Sequence, residues 1–168
     1  MPISMYAIAV PTFQKHLNAL DAILDKAQAY ATAKKIDPSV LLSARLYPDM
    51  FNFTRQVQGA ADFAKAAGAR LAGVPVPNFP DTETTIPELK QRIVKTLQFL
   101  GTLKPEQMEG TEAKQFTIKV GPNEMTFSGQ DYLLHFAIPN FYFHCTTAYD
   151  ILRHNGLEIG KRDFMRRT

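Results

Sequence analysis

Three observations predict an all-α protein, a four-helix bundle with a small β-hairpin before the last helix. Apolar residues recur at intervals of three and four over four long stretches. Prolines, glycines and capping residues separate those stretches. One segment, just ahead of the last stretch, alternates apolar with polar residues instead. At 168 residues, 45% hydrophobic and 21% charged, the chain fits a single domain, residues 1–168, around one core.

The first helix is expected from Pro11 to about Lys35, because Phe13, Leu17, Leu20, Leu24 and Ala27 fall on one stripe. Thr12 is the candidate cap, and Pro11 fits a first turn, where its missing N–H is not needed. Asp37-Pro38-Ser39 then opens a short helical piece over Val40 to Leu46. Pro48 restarts a second long helix that continues to about Leu71, with a stripe of Met50, Phe53, Val57, Ala60, Ala64, Ala67 and Leu71. Its small residues let neighbours approach closely, so this helix reads as central.

Gly73 ends it, and Val74 to Pro87 reads as an extended, proline-rich connection. Thr84 or Thr85 caps the third helix, whose stripe is Ile86, Leu89, Ile93, Leu97 and Leu100 before Gly101. Phe116, Ile118 and Val120, then Met125 and Phe127, alternate around Gly121-Pro122-Asn123-Glu124, which predicts the hairpin. The last helix runs from Ser128 and Asp131, a capping pair, to Asn155-Gly156, and Pro139 inside it predicts a bend.

Composition narrows the function classes. The net charge is +3, and the tail Lys161-Arg162-Asp163-Phe164-Met165-Arg166-Arg167 alone supplies four positive charges, so no basic stripe for nucleic acid emerges. No apolar run is long enough to cross a membrane, and no basic region precedes an apolar stretch at the amino terminus, so the expectation is cytoplasmic. One cysteine, Cys145, forbids an internal disulfide. Hydrolase, P-loop, dinucleotide and zinc-finger signatures are absent.

Three of the four histidines fall in the last helix. Asn140 and His144 stand four apart and share a face, the geometry by which a helix offers two ligands to one metal ion. A carboxamide is a poor partner for an imidazole in that role. Asp49, Asn52 and Gln56 form a polar edge on the second helix, either as a solvated edge or as a group facing His144 across the core. The candidate catalytic residues are therefore His144, Asn140, Gln56 and Asp49, with His144 the one strong metal ligand. Cys145 diverges from His144 by about 100° on a helix and does not pair with it. His154 suits the negative end of the helix dipole, and His135 and His16 read as packing or surface residues.

The P-D-M-F of residues 48–51, the segment S-G-Q-D-Y-L-L-H-F-A-I-P-N-F-Y-F-H-C-T-T-A-Y-D-I-L-R-H-N-G and the ending I-G-K-R-D-F together resemble an uncharacterised family of the DinB/YfiT-like putative metalloenzyme superfamily. The resemblance implies a four-helix bundle, commonly a homodimer, among putative metalloenzymes and thiol-dependent S-transferases. It also implies a divalent zinc or nickel ion held by one histidine on the second helix and two, four apart, on the last. His144 falls at the second of those two positions and Asn140 at the first; Gln56 or Asp49 stands nearest the position on the second helix. One of three imidazoles is present. Three readings follow: a small-molecule enzyme with a polar site between the second and last helices, a non-catalytic dimeric structural or binding protein, and a metal- and thiol-dependent S-transferase.

Overall fold

Ser4 sets the first helix of the computed structural model, which describes residues 4–165. Its hydroxyl accepts from the Ala7 N–H, and α1 runs Met5–Lys34. Thr12 is therefore not the cap, and Pro11 lies inside the helix. An interior proline forfeits one backbone bond. Met5, Ala9, Val10 and Phe13, all buried, offset that loss by extending the apolar stripe two turns upstream. The extreme amino terminus and the tail residues Arg166 and Arg167 lie outside the described residues.

Helix α2 spans Pro38–Ser43, two residues earlier than the spacing suggests, because the Asp37 carboxylate accepts from the Ser39 N–H and seats Pro38 in the first turn. The second long helix, α3 (Phe53–Ala72), starts later than Pro48. Asn52 is its cap, taking the Arg55 N–H at 3.0 Å, and Phe53 N–H is held by the Ala44 carbonyl at 2.8 Å. Pro48, Asp49 and Met50 belong to the preceding loop. α3 has no exposed residue along its length, which makes it the central element.

Helix α4 (Ile86–Thr102) opens with a reciprocal capping box between Thr85 and Glu88 and closes one residue past Gly101. A 3-10 turn, Pro105–Met108, leads to the antiparallel strands β1 (Gln115–Val120) and β2 (Asn123–Ser128). Their register pairs Phe116 with Phe127 and Ile118 with Met125, and buried Ile118 ties the hairpin to the core. An isolated hairpin is marginal in water, so this attachment is required.

Ser128 caps α5 (Gly129–Asp131), which passes through a π-helical turn, Tyr132–Ala137, into α6 (Ile138–His154). The expected bend at Pro139 takes this form: the Ile138 N–H reaches back five residues to Leu133, so the helix register shifts just before the residue that has no N–H to give. Gly156, at φ 93°, ends α6, and Leu157 N–H returns to the Leu152 carbonyl while its side chain is buried. A short α7 (Lys161–Met165) follows, which periodicity alone does not predict; Phe164 packs on His16 and Tyr149, and Asp163 pairs with Lys26.

The architecture is mostly helical with one small hairpin. α3 packs most extensively on α6 and also meets α4 and α1, while α1 contacts α4 and α6. No helix among the described residues is long and apolar enough to cross a membrane.

Candidate functional site: a histidine–glutamine pair between α3 and α6

Two small-residue positions allow α3 to take neighbours closely. A Cβ on Gly59 would lie 2.9 Å from Cε1 of His144, so only glycine lets the imidazole lie flat against the α3 backbone. Gly68 does the same for Leu100 and Leu103. His144 is 8% exposed, and its Nδ1 stands 2.7 Å from Oε1 of Gln56 across the helix interface. Phe63 stacks on the ring with centroids 5.4 Å apart, and Phe143 meets it edge-on. Gln56, Gly59 and Phe63 fall on one face of α3 at spacings of three and four.

The hydrogen bonds fix the protons. Gln56 Nε2 donates to the Phe51 carbonyl at 3.3 Å, which leaves Oε1 as the group facing His144. Nδ1 must then be the donor, and the neutral ring carries its lone pair on Nε2. Nε2 has no hydrogen-bond partner among the described residues, and it is not among the sealed, unpaired atoms, which are Asp21 Oδ1 and Arg92 Nε. Burial lowers the His144 pKa below the ordinary imidazole value; the Arg55 charge adds to this and Asp62 opposes it. Burial thus favours the uncharged ring.

Of the four residues expected to form the site, the fold brings two together. Asn140 is half-buried, but its amide donates to the Phe136 carbonyl at 2.7 Å, one turn back on its own helix, rather than toward His144. Asp49 is exposed in the loop before α3 and makes no contact with the pair. Its expected place rested on a helix starting at Pro48. A hollow of about 240 Å³ lies beyond Phe63, lined by Asp62, Phe63, Arg70, Ile118 and Phe136, not by His144.

The other candidate groups are accounted for by packing. His16 is buried against Phe141, Tyr142 and Phe164, with Nδ1 bonded to the Thr12 carbonyl. His135 and His154 are exposed. Cys145 is buried and burial pushes its thiol far up, which leaves it unreactive as a nucleophile. Sequence reasoning missed Gly59, Phe63 and a buried arginine, Arg92. The signal for Arg92 was present: it stands three after Leu89 and four before Thr96, on the buried stripe of α4.

The donor set does not fit the divalent metal that the resemblance implies. Zinc holds N and O donors at about 2.0–2.2 Å, which separates neighbouring donors by more than about 3 Å. The 2.7 Å between Nδ1 and Oε1 is a hydrogen-bond distance with a proton between them, so the two are not co-ligands and Nε2 is the one donor the pair leaves to a metal. Among the described residues no three histidine, cysteine, aspartate or glutamate side chains gather as a ligand group.

Residues 5–165 match the model of a family described as a domain of unknown function, DUF1993. No curated protein matches the chain. A crystal structure of a DinB family member protein from Shewanella denitrificans is 43% identical, with a TM-score of 0.88 over 98% of this chain and 93% of that one.

Proposed function

The chain belongs to the DUF1993 family, a DinB-like family, and from that premise we propose that it is a metal-independent four-helix bundle acting as a non-catalytic, dimeric structural or binding protein. On this reading α1, α3, α4 and α6 are the four members of the bundle. A hydrogen-bonded His144–Gln56 pair replaces the metal centre that the superfamily resemblance implies. The observation that carries it is the company His144 keeps: a neutral amide, Gln56, at 2.7 Å and two phenyl rings, with no ligand group of imidazoles or carboxylates gathered beside it among the described residues. Exposed aromatics adjoin the pair. Phe143, 55% exposed, touches the His144 ring, and the equally exposed Phe51 accepts from Gln56 through its carbonyl. They supply apolar surface for a second copy.

Metal analysis of protein purified without an affinity tag, followed by calorimetric titration with zinc and nickel, tests the reading. The expected result is metal well below one per chain and no saturable heat. One ion per chain, lost in His144→Ala, contradicts it.

One observation favours a second reading, a small-molecule enzyme with His144 as general base. Gln56 fixes the tautomer that leaves a lone pair on Nε2, and burial keeps the ring neutral, which is the state a base requires. Asn140, bonded within its own helix, has no part in it. Turnover of any small ester or amide substrate by the wild type that His144→Gln abolishes, with the fold intact, would place this reading ahead of the first.

A further inference from the structure

The connection from Gly73 to Thr85 contains no buried residue, yet it lies over some of the most deeply buried polar groups in the protein. Arg92 is 1% exposed, Gln58 4% and Lys65 5%. Val74 packs on the core at the start of the connection, and beyond it charge holds the segment down. Arg92 Nη1 donates to the Glu83 carboxylate at 3.0 Å and to the Pro80 carbonyl at 3.2 Å, and Nη2 stands 2.9 Å from Asp81. Gln58 also donates to Glu83, at 2.9 Å, and Arg55 pairs with the second oxygen of Asp81. Lys65 lies 4.4 Å from the centre of the Phe79 ring.

Without this segment, the surface beneath holds three cations, Arg55, Lys65 and Arg92, against one carboxylate, Asp62, which pairs with both Lys65 and Arg92. The excess is two positive charges. Asp81 and Glu83 bring two negative charges to it, presented as a forked carboxylate pair on a guanidinium, the geometry by which proteins bind dianions. Arg92 Nε remains buried and unpaired even so, one donor more than the strap satisfies. A cleft of about 450 Å³, lined by Asn78, Thr82, Gln91 and Lys95 among others, already runs along the segment and gives solvent a path to Glu83 and Arg92.

We infer that Asp81 and Glu83 are internal occupants of an anion site formed by Arg55, Lys65 and Arg92, and that a small dianion, a phosphate or a dicarboxylate, displaces the 73–85 strap and takes their place. Lifting the strap exposes no buried apolar side chain from within it, so the opening is opposed chiefly by the ion pairs that a competing dianion replaces. Arg55 and Asp62 also act on the His144 ring through their charge, but the strap site uses neither His144 nor Gln56.

Hydrogen exchange on the full chain, with inorganic phosphate or succinate against sodium chloride at equal ionic strength, tests it. The expected result is a saturable rise of about threefold or more in exchange of strap amides, confined to residues 74–85, with phosphate or succinate but not with chloride. The double variant Asp81→Asn, Glu83→Gln removes the internal competitor and is expected to bind phosphate about tenfold more tightly than wild type. Exchange that follows ionic strength alone, or a folded variant with no saturable phosphate binding, overturns the inference. If the variant does not fold, the wild-type comparison decides.

Discussion

A glycine and a glutamine decide what His144 is. The missing Cβ of Gly59 brings the imidazole against α3, and Gln56 then takes Nδ1. Gly59→Ala is expected to destabilise the fold: overpacking costs about 1–3 kcal/mol, while the better helix propensity of alanine returns about 1 kcal/mol. Chemical denaturation checks this, and a stabilised variant would show that the ring yields freely. The pH dependence follows from the lowered pKa values of His144 and His16, both set first by burial. The unfolded imidazole takes its proton at higher pH than the folded one, so acid favours unfolding. Their contribution is complete above the ordinary imidazole pKa and is lost as pH falls below it; His144→Gln should flatten that part of a stability–pH profile. The pairing of Gln56 with His144 was legible from helical spacing. Asp49 was misplaced because the face it shares with Gln56 exists only if the helix reaches back to Pro48, and Asn140 because a side chain beside a proline has a nearer carbonyl to serve.

At the scale of elements, the sequence was most legible where side-chain capping and periodicity agreed. Thr85 and Glu88 announce α4, and both the hairpin and the end of α6 at Gly156 follow from local chemistry. Prolines misled. Pro11 and Pro48 look like helix starts, but Ser4 and Asn52 supply caps that let Met5 and Phe53 be buried, and burial outweighs one lost hydrogen bond. The π-helical turn was not legible, since only the packing of Tyr132 and Leu133 against the core shows where the register slips. The clasp on the 73–85 connection makes its own prediction. Arg92→Ala should cost about 3 kcal/mol, because it removes the buried cation that Asp62, Asp81 and Glu83 share. Lys90→Ala, which breaks half-exposed pairs with Asp21 and Asp25, should cost about 1 kcal/mol or less. Equal losses in a denaturation series would mean that Arg92 is no more than a surface pair. Glu83 strengthens the argument: burial alone would raise its pKa, but hydrogen bonds from Gln58 and Arg92 hold it below the usual carboxylate range. That part of the stability is therefore present above the unfolded carboxylate pKa and disappears as pH falls.

For the whole molecule, the helices converge on α3, and the polar groups that reach it are neutralised from within: His144 by Gln56, Arg92 by the strap. What stays outward is apolar surface at Phe51 and Phe143. If that surface joins two copies, Phe143→Asp should move the protein to the monomer in sedimentation velocity while leaving its melting temperature near that of the wild-type monomer. An unchanged distribution would remove this face from the dimer. The central claim is that a proton, not a metal ion, joins α6 to α3 at His144. Nitrogen-15 NMR of the imidazoles, with the His144 signals assigned by their absence in His144→Gln, measures this directly. The account expects the proton on Nδ1, a bare Nε2, and no change on adding one equivalent of zinc; a proton on Nε2, or zinc shifting the His144 nitrogens in proportion to its amount, would contradict it.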